Sequence, residues 1–229
     1  MSEELLSNDL SVTAEIKLYY DLYIPENAVE PAPLLIAVHG YGAHKRYMMR
    51  EARRIAPDGF AVVSLQAPHQ HFRETADGYR VGFGWLTDHR PEESVALHHN
   101  FVNEVLAKMD AEGIADPDNF HLFGFSQACA LNFRYASAFP DKARSVIGVC
   151  GGIPGDLETN PNYRPFDAET FYLYGNDDEF YSEERFRSFD KKLGSILPNY
   201  RSKRYEAKHE ITEEMRSEIR DFLDGMRSV

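Results

Sequence analysis

Short apolar runs alternate along this chain with longer amphipathic stretches, and the alternation predicts an architecture. Residues 34–38, 60–65, 119–125, 145–150 and 171–174 are runs of strand length with few polar interruptions, the pattern of strands covered on both faces. Residues 43–55, 91–112, 127–139 and 182–197 lie between such runs and read as helices, ended by Pro57-Asp58-Gly59, Glu112-Gly113, Pro140 and Pro198-Asn199. Pro91 opens the second of these helices and Ser182 caps the fourth; Thr212-Glu213-Glu214 starts a last one after a short strand at 200–207. Residues 12–24 cluster β-formers and end at Pro25, which predicts an antiparallel pair or one bent strand at a sheet edge. Strands alternating with helices on this scale make an α/β fold, a mostly parallel central sheet with helices on both faces.

Residues 67–91 break the rhythm. They lack clear periodicity and carry His69, His71, Gly78, Tyr79, Gly82, Phe83 and Trp85, so the expectation is a long functional loop over the site. No linker rich in Pro, Gly or Ser divides the chain, and residues 1–229 are read as one domain. The formal net charge of -12 and the scattered Lys and Arg residues argue against nucleic acid as a partner. The apolar runs are too short to span a bilayer, so no membrane insertion is expected. Met1-Ser2-Glu3-Glu4 lacks the basic and apolar parts of a signal peptide, and a cytoplasmic location is expected. Cys129 and Cys150, both in apolar settings, read as buried reduced thiols rather than a disulfide.

The chemistry gathers at the carboxyl ends of the predicted strands. Gly124-Phe125-Ser126-Gln127-Ala128 follows a strand and runs at once into a helix, the pattern of a sharp elbow with a serine at its tip. Read alone, Ser126 is equally an ordinary helix cap. A serine nucleophile needs a base, usually His, and an acid to fix the tautomer of that base. Asp178 and His209 follow two later strands and complete the order Ser, Asp, His used by α/β-hydrolases. Taken singly, Asp178 is a solvated loop acid or helix cap and His209 a surface residue; their conjunction with Ser126 points to a triad. The backbone N–H groups of Tyr41, in His39-Gly40-Tyr41-Gly42, and of Gln127 are the candidate oxyanion donors. That glycine-bearing segment also reads as a plain tight turn.

His39-Gly40-Tyr41-Gly42, Gly124-Phe125-Ser126-Gln127-Ala128, Gly175-Asn176-Asp177-Asp178 and His209 together resemble the phospholipase/carboxylesterase family of α/β-hydrolases, which includes acyl-protein thioesterases. The resemblance runs from about Leu34 to the C-terminus and implies hydrolysis of carboxylic esters or thioesters without metal or organic cofactor. It also implies Asp178 rather than Asp177 as the acid, three residues beyond Gly175. Residues 148–154 resemble the family's Ser-Gly-x-x-Pro stretch, with Cys150 in place of the serine. Ala128 stands where the family usually has glycine, and Leu86-Thr87-Asp88 follow Trp85 where it has Phe-Asp, so substrate identity does not carry over.

Phe83, Trp85 and Ile153 are the candidate lining of the substrate pocket; Phe83, Trp85 and Tyr79 can equally pin the loop to the core. The expected partner is a small ester or thioester, and a homodimer is left open. His69-Gln70-His71 and His98-His99 raise a metal site, but His98 and His99 are expected to point apart on a helix, and no cluster has zinc spacing. No metal is expected. A thioesterase, lactone hydrolase or peptidase would use the same residues, and a ligand-binding protein on a catalytically dead hydrolase fold is the reading from another class.

Overall fold

A computed structural model describes residues 7–228; the acidic start, Met1-Ser2-Glu3-Glu4, lies outside them. Among the described residues, seven strands form one sheet. In spatial order they are β1 (Tyr20–Tyr23), β3 (Ala61–Leu65), β2 (Ala32–Val38), β6 (Ala115–Phe125), β7 (Ser145–Val149), β8 (Glu169–Gly175) and β9 (Tyr200–Tyr205). All are parallel except β1, which pairs antiparallel with β3 at the edge. The N-terminal segment is therefore one short edge strand and not a pair. The chain steps outward from β2 to β3 and then returns to the other side of β2 with β6. Ligands in open parallel sheets bind outside the carboxyl ends of the strands at such a reversal.

The apolar runs are buried because both sheet faces are covered. Helices α2 (Pro91–Ala111), α3 (Gln127–Ala138) and α4 (Glu183–Ile196) supply Phe101, Val102, Leu131, Phe133, Phe186 and Leu193 to one core. Helices α1 (Lys45–Ile55) and α5 (Glu213–Asp224) supply Met48, Ala52, Ile55, Met215, Ile219 and Leu223 to the core on the opposite face. The predicted caps form as read: Ser182 Oγ accepts from Arg185 N at 3.3 Å and Thr212 Oγ1 from Met215 N at 3.2 Å. A side-chain oxygen there satisfies an N–H that has no intrahelical partner.

Residues 67–91 differ most from expectation. Most of the segment is an antiparallel hairpin of β4 (His69–Thr75) and β5 (Gly78–Gly84), paired in register from His69 opposite Gly84 to Thr75 opposite Gly78. Gly78 turns it with φ +103, a conformation that L side chains rarely adopt. The pattern is hidden because the hairpin does not alternate apolar with polar toward a core: Phe72 and Tyr79 point into solvent, while His71 and Gly82 face the protein.

His98 and His99 turn to different neighbours, as expected, although their rings meet edge-on. Their ring centroids lie 5.9 Å apart, with His98 edge-on to Trp85 and His99 against Tyr135 and Phe139. Burial lowers His98 to about 3 and His99 to about 4, so both are neutral packing groups at neutral pH. Among the described residues, no group of three or more His, Cys, Asp or Glu is arranged to hold a metal ion. No helix among them is long and apolar enough to cross a membrane.

Candidate active site

Strand β6 delivers Ser126 to the start of α3 through a turn with no spare room. A Cβ at Gly124 would meet Asn132 Nδ2 at 2.8 Å and the Ala128 carbonyl at 3.1 Å. At Gly151 it would meet Ser126 O at 2.1 Å and Cys129 Sγ at 2.4 Å. Ser126 itself has φ 57 and ψ -121, a strained region for any residue with a side chain. Its N–H is tied to Val149 O at 2.9 Å, so the strain is held by the neighbouring strand. Ala128 is fully buried in this turn, where its methyl fits without a larger side chain.

The strand ends of β8 and β9 bring the other two groups to it. His209 Nε2 lies 2.9 Å from Ser126 Oγ, and His209 Nδ1 lies 2.7 Å from Asp178 Oδ2. The Asp178 side chain is fully buried and that of His209 is 11% exposed. The second Asp178 oxygen accepts from the backbone N–H of Phe180 at 2.8 Å and of Tyr181 at 3.0 Å, which fixes the carboxylate plane. Asp177 points its backbone elsewhere, its N–H bonding Ala207 O at 3.0 Å. With the carboxylate on Nδ1, the proton sits there, and Nε2 is left to accept from the serine hydroxyl.

The His209 loop has two further supports that sequence reasoning missed. Glu179 Oε2 accepts from His209 N at 2.9 Å. Cys150 Sγ lies 3.6 Å from Glu210 O, within reach of a weak S–H hydrogen bond. Cys150 has φ 51 and Cys129 lies just past the elbow. Both are free and buried, and burial pushes Cys150 up to about 12 and Cys129 higher still. Thiols so protonated pack and donate weakly; they do not attack.

Tyr41 and Gln127 both border the cleft beside Ser126. The end of β2 comes so close that a Cβ at Gly40 would lie 3.0 Å from Ser126 Cβ. Gln127 is the first residue of α3, where N–H groups lack an intrahelical partner. His39, Trp85 and the Gln127 side chain form a clamp. His39 Nε2 accepts from Ala67 N at 3.1 Å, leaving Nδ1–H to donate to Gly40 O at 2.8 Å. Burial holds His39 at about 4, so this neutral tautomer persists at neutral pH. Trp85 Nε1 donates to His39 O at 2.8 Å, Trp85 N donates to Gln127 Oε1 at 2.9 Å, and Gln127 Nε2 donates to Leu86 O at 3.1 Å.

Of the proposed pocket residues, Ile153 lines the cleft around Ser126 and His209, whereas Phe83 and Trp85 do not. Trp85 is 1% exposed, because the indole is consumed by the clamp and by packing on His98. Phe83 packs against the core and accepts from Gly42 N at 2.8 Å. Tyr79 is exposed on the hairpin. The cleft, about 780 Å³, is lined instead by Leu86, Phe180, Tyr181, Arg185 and Phe189 beside Ile153. Four of these come from residues 180–189, whose aromatic density was the available signal.

Other proteins share this fold. Esterase PE8 superposes with a TM-score of 0.72 at 18% identity, covering 92% of this chain and 99% of that one. The acyl-protein thioesterase 2 of Zea mays gives 0.70 at 14% identity, covering 90% and 98%, and the Bacillus cereus carboxylesterase 0.68 at 15%, covering 91% and 94%. At these identities the likeness establishes the fold. In sequence, 125 residues are 27% identical to "Putative esterase NocK" of Nocardia uniformis subsp. tsuyamanensis, 55% of this chain but only 34% of that protein's length. Residues 21–226 match the profile of the phospholipase/carboxylesterase family, and the chain belongs to that family of α/β-hydrolases.

Proposed function

We propose that this protein is a serine hydrolase that cleaves carboxylic esters through an acyl-enzyme, with one domain carrying the whole site. The observation that supports the reading best is the continuous chain Asp178–His209–Ser126 at 2.7 and 2.9 Å, on a serine held at φ 57. As the Ser126 oxygen bonds to the ester carbonyl carbon, its proton moves to His209 Nε2. The imidazolium so formed is stabilised by Asp178. The carbonyl oxygen becomes an oxyanion facing the N–H groups of Tyr41 and Gln127; such donors are each worth on the order of a hundredfold or more in rate. Collapse breaks the bond to the leaving oxygen, which takes the proton from His209. Water, deprotonated by the same imidazole, then releases the acid and returns the proton to Ser126.

Every step draws on groups of this chain. A cytoplasmic location belongs to the same reading, supported by two buried thiols that remain unpaired. The test is labelling with a fluorophosphonate probe followed by peptide mapping, with Ser126→Ala as control. The expected result is modification confined to Ser126, and loss of ester turnover by about four orders of magnitude or more in the variant while its circular dichroism is unchanged. Folded native protein that takes up no label overturns the reading in favour of a binding protein. A panel of ester, thioester, lactone and peptide substrates then ranks the bond cleaved; a preference for another bond displaces the ester.

A further inference from the structure

The cleft around Ser126 and His209 holds one permanently charged side chain among its described lining residues, Arg185. The chain has 37 Asp and Glu residues, yet none of them lines this cleft. Asp178 sits behind His209 with its side chain fully buried. Arg185 is also badly placed for its helix. It lies in the first turn of α4, where the helix dipole favours the negative charge of Glu183 and Glu184 and opposes a cation.

Neighbouring arginines are ion-paired and Arg185 is not. Arg187 and Arg204 both bind Glu183 at 2.7 Å. Arg185 forms no ion pair among the described residues; its guanidinium carbon stands 5.5 Å from the ring centroid of Tyr181 and 5.6 Å from that of Phe189. Packing against aromatic rings orients a guanidinium and leaves N–H groups at its edge for a planar anion.

We propose that Arg185 recognises an anionic group, a carboxylate in the simplest case, on the substrate cleaved at Ser126. The proposal rests on the hydrolase reading of this cleft and narrows it to charged esters. A bidentate guanidinium–carboxylate contact beside apolar rings is worth about a tenfold preference or more.

The test uses two matched pairs of esters. The 4-nitrophenyl monoester of glutarate and 4-nitrophenyl valerate have equal chain lengths and differ in a terminal carboxylate; 4-acetoxybenzoate and its methyl ester put that charge on the leaving group. The readout is the ratio of kcat/KM, charged over neutral, in native protein, Arg185→Gln and Arg185→Lys. The expected ratio in native protein is about ten in at least one pair, falling toward one in Arg185→Gln through KM, partly restored in Arg185→Lys, and shrinking as salt screens the pair. A ratio that Arg185→Gln leaves unchanged in both pairs overturns the proposal. Failure of the hydrolase reading looks different, since neither member of either pair is then turned over. Calorimetric binding of monomethyl glutarate to native protein and Arg185→Gln decides the role of Arg185 in that event; equal affinity overturns it.

Discussion

At the β6–α3 elbow a methyl group added to Gly124 or Gly151 would meet other atoms at 2.8 and 2.1 Å, whereas at the tip of the β4–β5 hairpin one added to Gly78 would meet nothing within 4 Å. The two regions come together at Tyr41, whose ring stacks on His71 of the hairpin at 4.5 Å. The hairpin is close-packed on that side only. A Cβ at Gly82 would lie 2.9 Å from His71 and 3.2 Å from Gly42, while Phe72 on the other side is 79% exposed. Strained backbone persists only where surrounding contacts over-determine it. The elbow has those contacts all round, and so it can hold Ser126 at φ 57. The hairpin needs contacts on one side, enough to hold the 39–42 segment against Ser126.

Acid is the largest perturbation that separates the two. The packed part of the molecule hides His39, His99 and His121, each lowered to about 4 by burial, and His98, lowered to about 3. In the unfolded chain histidine titrates near 6.5. Between about pH 6.5 and 4 the unfolded state therefore binds protons that the folded state refuses. Stability is full above that window and falls as pH drops through it, by roughly 1 kcal/mol per pH unit for each histidine. Urea midpoints at pH 7.5, 6.0 and 5.0 should decline with increasing slope. Constant midpoints would mean that these rings are solvated and that the core is looser than its packing implies.

Gly151→Ala attacks the elbow directly. The new methyl overlaps Ser126 O and Cys129 Sγ, so the segment after β7 must move away from the start of α3, at an expected cost of about 3 kcal/mol. Chemical denaturation measures the loss. Ester turnover per folded molecule should fall as well, since Ser126 N loses its register with Val149 O. A variant as stable and active as the native protein would break the claim that the elbow has no slack.

The same contrast governs how much could be read from the sequence. The elbow was legible because its requirements are local: a small residue on each side of the serine, a strand before it and a helix after it, all within Gly124–Ala128. Asp178 and His209 were legible because parallel sheets gather strand ends on one edge. The hairpin was hidden: Ala76-Asp77-Gly78 is a turn signal, but its flanking strands carry His, Arg and Gln where a core-facing pattern would be apolar. Trp85 was ambiguous for a related reason. Its indole N–H bonds a carbonyl 46 residues away in sequence, and no local pattern reports such a partner. Arg185 lay unnoticed in a helix that reads as plain and charged, since its isolation depends on Glu183 pairing elsewhere.

Phe72→Ser tests the exposed side of the hairpin and should have the smallest effect. Phe72 lies opposite Val81, which is itself 48% exposed, so the pair buries little area from water. Losing one cross-strand contact of this kind costs about 0.5 kcal/mol or less. The inner side keeps the His71–Tyr41 stack and the bond from Gly42 N to Phe83 O at 2.8 Å. The 39–42 segment should stay in place, with turnover of a short neutral ester within twofold of native. Denaturation and steady-state rates read the two parts separately. A loss above about 2 kcal/mol is the size expected when a buried aromatic is removed, and would mean that Phe72 is covered in solution. Unchanged stability with a large drop in turnover would mean instead that the hairpin acts on the cleft through its outer face, and the division between its two sides would fail.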